Sequence, residues 1–262
     1  MTEARVAPVL ARIVAGRRAW IAGVDPAARA RLGAQAQAAP PARDFRGALE
    51  RPGVSLIAEC KARSPSAGTL QDPYDPVTLA RRYEAAGASA LSVLTEPDFF
   101  GGAFEHLRAV RAAVAMPLLC KDFVVDELLV TCARAAGADA ALLIVAILDD
   151  AQLHSLHAAI RAAGMQALIE AHTEAELERA LEIPGAMIGI NNRDLSTMRT
   201  DPGTTARLRP RIPPDRFVVS ESGIRSAAEI DALAALGVGA ALVGESLLRA
   251  PDLEAQMRRL RR

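Results

Sequence analysis

Glu59, Lys61, Lys121 and Glu170 are the side chains with which this sequence could do chemistry. Lysine stands out by its scarcity. Of 31 basic residues, all but Lys61 and Lys121 are arginine. An Ala- and Arg-rich chain nearly devoid of Lys and Asn has the stamp of GC-rich coding, under which arginine is the default surface cation. A retained lysine then marks a place where guanidinium will not serve, because an ammonium can release its proton and a guanidinium effectively cannot. The asparagines repeat the pattern, since Asn191 and Asn192 are the only two. Lysine acids facing glutamate bases suit proton transfer. The same lysines could instead form an imine with a sugar phosphate, as in Schiff-base aldolases. A barrel that merely binds a phosphorylated metabolite is the third reading the residues allow.

Such residues need elements to hold them. From residue 55 onward, strand-length apolar runs recur at intervals of roughly 21–35 residues: SLIAEC (55–60), ALSVLT (90–95), PLLCKD (117–122), AALLIVA (140–146), QALIEA (166–171), MIGIN (187–191), FVVSES (217–222) and AALVGE (240–245). Most are near-continuously apolar, as parallel strands covered on both faces must be. Helix-like segments with acidic first turns or terminal glycines alternate with them. Eight such units predict an α/β fold, a (β/α)8 TIM barrel over residues 55–250. An open doubly wound sheet is the runner-up, but no GxGxxG turn follows the first strand. Residues 1–54 read as a helical extension with a Pro-rich link, within one domain spanning 1–262.

In a barrel, chemistry sits at the C-terminal strand ends. Glu59 and Lys61 fall there on the first strand, Lys121 on the third and Glu170 on the fifth. Asn191 follows the sixth. Strand alternation puts Glu59 with Lys61, and Lys121 with Leu119, on one face. If these face the lumen, Cys60 and Cys120 face the helix layer, and Asp122 becomes a loop-side structural partner. SESGI (220–224) and LVGESL (242–247) each run from a strand end into a helix start, where backbone N–H groups favour a phosphate. SPSAG (64–68), after Lys61, is either a turn or a loop donating hydroxyls to a ligand.

Other constellations are excluded or bland. His154 and His157 lie on a surface-type helix with no metal-ligand spacing, so no metal is expected. No Ser–His–Asp or GxSxG pattern appears. His172 reads as an exposed loop residue and the terminal RRLRR as a solvated helix end. Zero net charge and 3% aromatic residues argue against nucleic acid. The longest apolar run, 141–148, is too short to cross a bilayer. Three cysteines without a CxxC pattern point to a reducing cytoplasm. The N-terminal residues are Arg/Ala-rich, but interruption by Glu3, Asp25, Asp44 and Glu50 favours a folded extension over a cleaved leader. Oligomeric state stays open, a monomer being compatible with the pattern.

The ordered segments AECKARSPSAG, LTEPDFFGG, LLCKDFVVDE, LLIVAIL, LIEAHTEAELERAL, IGINNRDL, SESGI and LVGESLLRA resemble the successive motifs of the indole-3-glycerol phosphate synthase family, from about residue 5 to 250. The resemblance implies a cofactor-free lyase of tryptophan biosynthesis. It would close the indole ring of 1-(2-carboxyphenylamino)-1-deoxyribulose 5-phosphate with loss of carbon dioxide and water. By that resemblance Lys121 is the general acid and Glu170 its partner in later proton transfers. Glu59 sits between them, and Lys61 offers charge to the phosphate or carboxylate. Ser64, Asn191, Arg193 and Glu221 would orient the substrate. Ser222, Gly223, Gly244 and Glu245 would present N–H groups to phosphate. Phe100, Phe123, Leu142 and Leu195 would wall the aromatic ring, and the extension would partly lid the mouth. Cys120 and Ala67, where the family often has a basic residue, are departures that bear on affinity rather than reaction type, and Met198 with Arg199 depart from a more usual aromatic–acidic pair after the sixth strand.

Overall fold

The computed structural model describes residues 8–195 and 197–261. Eight parallel strands close into a barrel: β1 (Ser55–Cys60), β2 (Ala90–Leu94), β3 (Leu118–Lys121), β4 (Ala140–Ile144), β5 (Gln166–Ala171), β6 (Met187–Asn191), β7 (Val218–Glu221) and β8 (Ala240–Val243). Closure is made where Ser55 of β1 registers with Ala240 of β8. Each strand lies next to its sequence neighbour, with a helix-containing connection between, which is the TIM-barrel arrangement.

The alternation predicted from the sequence sorts the side chains into two cores. Ile57, Leu119, Leu142, Leu168, Met187, Val219 and Leu242 point inward and fill the lumen. Leu56, Ala58, Cys60, Leu118, Cys120 and Ile169 point outward and pack against the helices. Both cysteines are therefore apolar packing, and burial pushes their thiols far above the usual range. At Cys120 a basic residue would meet the helix layer, not the mouth.

The extension touches the barrel at both ends. Helix α1 (Pro8–Gly23) lies at the mouth side, where buried Arg17 donates to Asp122 just past β3. Helix α2 (Pro26–Ala38) starts at Pro26 behind Asp25, whose carboxylate accepts the Ala28 N–H at 2.7 Å. It packs along the helix Glu127–Ala135. Helix α3 (Phe45–Leu49) then plugs the opposite end, with Phe45 and Leu49 fully buried against the lumen core. Two hydrogen bonds fix the plug: the Arg46 N–H donates to Gln166 Oε1 at 2.8 Å, and Ser55 Oγ donates to the Leu49 carbonyl at 2.8 Å.

Two expectations need correction at the ends of elements. In AALLIVA the strand stops at Ile144, and Val145–Ile147 form a 3₁₀ turn. Arg179 holds that turn by donating to the carbonyls of Val145 and Leu148 at 3.2 and 2.6 Å. In RRLRR, Arg258 and Arg259 are exposed, but Leu260 is buried and Arg261 donates to the Ala86 carbonyl at 3.0 Å.

Candidate active site

Every candidate catalytic and substrate-binding residue named from the sequence lines one cavity at the C-terminal mouth of the barrel, whereas Asn192 lies behind it. At its floor Lys121 Nζ sits 2.7 Å from Glu170 Oε2 and 3.0 Å from Glu221 Oε2. A second pair, Lys61 with Glu59, lies beside it on β1 and the turn that follows. The strand pleat brings these groups together: Glu59, Lys121, Glu170 and Glu221 all occupy inward positions at the last turn of their strands.

Two glycines make the space for the carboxylates. A Cβ on Gly189 of β6 would lie 2.5 Å from Glu221 Oε1. A Cβ on Gly244, just past β8, would lie 2.5 Å from Glu59 Oε1 and 3.1 Å from Lys61 Nζ. Both positions face the lumen, where any side chain would displace an ionisable group.

The electrostatics follow from burial in a crowd of charges. Burial by itself disfavours the Lys121 ammonium, but the carboxylates of Glu170, Glu221 and Glu59 outweigh it and raise its pKa. Burial would likewise raise Glu170, but Lys121 and His172 hold it below the usual carboxylate range. For Glu221 burial wins over Lys121, helped by repulsion from Glu170 and Glu59, and its pKa rises to about 7. Neither oxygen of Glu221 has an aligned hydrogen-bond donor, which agrees with that direction.

His172 corrects the sequence reading. Its side chain is only 8% exposed and lies between Glu170 and Glu176. The available signal was parity, since residues 168, 170 and 172 share the inward face if β5 is continued by one residue past Ala171.

The remaining walls divide by chemistry. Phe100 and Phe123 stand 5.9 Å apart, tilted by 36°, and with Leu142 and Leu195 form an apolar side. Opposite, Ser222 and Gly223 have successive positive φ values of 65° and 81°. A serine held there is strained. Asn192 braces the turn by donating to the Ser222 carbonyl at 3.0 Å, while its own oxygen accepts from Thr205. Asn191 does a similar task for the next loop, its Oδ1 accepting the Arg193 N–H at 3.0 Å.

SPSAG folds as a small hairpin, Arg63–Ser64 against Gly68–Thr69, with Ser64 buried and Ser66 receiving a bond from Arg193. Arg193 also reaches Glu245 at 3.2 Å, and Arg249 links Glu245 to the Ala67 carbonyl. Among the described residues no group of His, Cys, Asp and Glu has a metal-binding arrangement.

Fold and site define a (β/α)8-barrel enzyme with paired acid–base groups at its mouth. The indole-3-glycerol phosphate synthase family profile matches residues 10–260. The chain is 53% identical over 223 residues to "Indole-3-glycerol phosphate synthase 2" of Streptomyces coelicolor, covering 85% of this chain and 86% of that protein. It is 48% identical over 241 residues to an indole-3-glycerol phosphate synthase of a Roseiflexus species, covering 88% and 89%. The chain belongs to the indole-3-glycerol phosphate synthase family. Similarity to solved structures shows the barrel alone. A Salmonella typhimurium 3-hexulose-6-phosphate synthase superposes with a TM-score of 0.65 at 17% identity, covering 79% of this chain and 96% of that one. A Legionella pneumophila tryptophan synthase alpha chain gives 0.59 at 14%, covering 82% and 94%.

Proposed function

We propose that this mouth closes the indole ring of 1-(2-carboxyphenylamino)-1-deoxyribulose 5-phosphate, releasing carbon dioxide and water, by general acid–base catalysis. Family membership makes the chain a carboxy-lyase of tryptophan biosynthesis. The assignment of its residues to steps is our reading. The observation that carries it is the 2.7 Å pair of Lys121 and Glu170 between an apolar wall and the strained Ser222–Gly223 turn.

The substrate's aryl ring lies against Phe100, Phe123, Leu142 and Leu195. Its phosphate takes the N–H groups of Ser222, Gly223, Gly244 and Glu245, with charge from Lys61. Ser64, Asn191 and Arg193 hold the substrate's polar groups, and Glu221 helps to orient it. Lys121 protonates the ketone oxygen as the aryl carbon attacks. The carboxylates around Lys121 make it a weak acid at rest, so transfer waits for attack to turn that oxygen toward alkoxide. Carbon dioxide then leaves, and Glu170 takes part in the proton transfers that precede loss of water. Glu59 holds Lys61 near the leaving hydroxyl.

The raised pKa of Lys121 keeps it an ammonium, and imine formation needs a free amine. That direction counts against the aldolase reading. A cytoplasmic site of action belongs to the same proposal, supported by three buried free cysteines. Incubating the purified chain with the ribulose phosphate should generate indole fluorescence without added metal or nucleotide. No fluorescence from folded protein would sink the proposal.

A further inference from the structure

Glu170 has a cation on each oxygen. Lys121 Nζ lies 2.7 Å from Oε2, and His172 Nε2 lies 3.2 Å from Oε1. The proposed reaction uses up one of them: once Lys121 has given its proton to the substrate, its charge is gone. Glu170 is 1% exposed, and a carboxylate that deeply buried does not stay ionised without a partner.

The surroundings of His172 fit a second, permanent cation. Its other ring nitrogen, Nδ1, is 3.0 Å from Glu176 Oε2, and the same oxygen accepts the His172 main-chain N–H at 2.8 Å. Nδ1 is hydrogen-bonded to Glu176, whereas Nε2 has no aligned hydrogen bond and meets Glu170 as an ion pair, a contact that only the imidazolium makes favourable. Glu176 is held in place because Thr173 caps the helix Glu174–Leu181 and its Oγ1 accepts the Glu176 N–H at 3.2 Å. The neighbouring 3₁₀ turn Val145–Ile147 and strand β6 bring no ionisable side chain toward it. Arg179, on the same helix as Glu176, pairs with Asp150 at 2.6 Å. Burial pushes the imidazole down, but Glu170 and Glu176 reverse that and raise it to about 10.

We propose that His172 is a positioning residue: as an imidazolium it grips Glu170 Oε1 and keeps Glu170 ionised while Lys121 is neutral, leaving Oε2 to take the substrate's proton. This rests on the reading of Glu170 as a base. Lys121 acts once per turnover, whereas His172 keeps its charge throughout. Glu176 secures the imidazolium from the solvent side.

The test is the pH profile of kcat and KM for the full chain, from about pH 4 to 9, with the ribulose phosphate. His172→Asn should move the acid limb of kcat upward by about one pH unit, since Glu170 loses a cation. The loss approaches about tenfold only on the acid limb itself, below the shifted pKa, and is negligible at about pH 8.5, with KM unchanged. Glu176→Gln should shift the limb the same way by less, and His172→Lys should restore it. An equal loss at every pH, a change confined to KM, or an unshifted limb would overturn the proposal. Should His172→Asn fail to fold, Glu176→Gln and His172→Lys carry the same comparison. Glu170→Gln separates the two readings. Near-normal kcat there removes the base role itself. An inactive Glu170→Gln beside an unshifted His172→Asn removes only the role of His172.

Discussion

Arg17 of the first helix and Asp122, the residue after Lys121, form a buried ion pair across 105 positions of sequence. Asp122 also accepts from Thr95 Oγ1 and from the Phe123 N–H at 2.7 Å. It turns to the loop side, as the alternation predicted, and ties the extension to the backbone that carries Lys121. Removing one partner leaves the other charge buried. Arg17→Met should therefore destabilise the protein by about 3 kcal/mol. Urea unfolding measures this, and a loss below about 1 kcal/mol would show the pair to be idle.

Lys121→Arg keeps the charge beside Glu170 and Glu221 but holds its proton. We expect kcat to fall by about 10²-fold or more, the scale of general acid catalysis, with the fold intact. Rate of indole formation is the measurement. Full activity would remove Lys121 as the acid.

The glycines opposite the carboxylates give a different kind of test. Gly189→Ala pushes on Glu221 and Gly244→Ala pushes on Glu59. Each should lower kcat/KM; Gly189→Ala should shift the thermal midpoint little, because it displaces the end of a flexible chain, and Gly244→Ala more, because it also presses on Glu59 Cβ at 3.0 Å. A variant as active as the parent would show that the carboxylate position is not critical.

The Ser222–Gly223 turn, proposed to hold the phosphate, makes a prediction about binding. Gly223 has φ of 81°, and a Cβ there would meet Thr200 at 2.8 Å. Gly223→Ala should raise KM for the substrate more than it lowers kcat. An unchanged KM would place the phosphate elsewhere.

Stability should fall as pH rises. His172 has its folded pKa raised to about 10, so its contribution is full below the unfolded value near ~6.5 and is lost through about 10. Glu221, raised to about 7, is favoured protonated, and its contribution is lost as pH climbs from about 4.5 through 7. Glu170 has the opposite sign, since its lowered pKa costs stability only as pH falls below the unfolded carboxylate range. Urea midpoints should decline from pH 5 to 10. Glu221→Gln should flatten the lower part and His172→Asn the upper. A midpoint that rises across this window would contradict both assignments.

Much of this was readable from the chain. QALIEA and MIGIN are strands over their full length, as expected from apolar runs with a polar residue, Glu170 or Asn191, at or next to the end. FVVSES and AALVGE are trimmed because Ser222 turns left-handed and Gly244 starts a helix. The end of AALLIVA was invisible because the run stays apolar through the bend. Parity placed Glu59, Lys121 and Glu170 correctly. His172 has the same parity, but it lies past the end of the apolar run, and its two carboxylates lie on a strand and on the next helix. Arg17 could not have been matched with Asp122, since only the folded path of the extension brings them together.

That path also sets an order of assembly on the ribosome. The first helix needs Asp122, the second needs the helix Glu127–Ala135, and the plug needs Gln166. Strand β1 has no closing neighbour until Ala240 is made. The extension, synthesised before the barrel, is thus among the last elements to find its seat. Until then, Phe45 and Leu49 remain exposed on a nascent chain, and they are the groups a holding chaperone would meet.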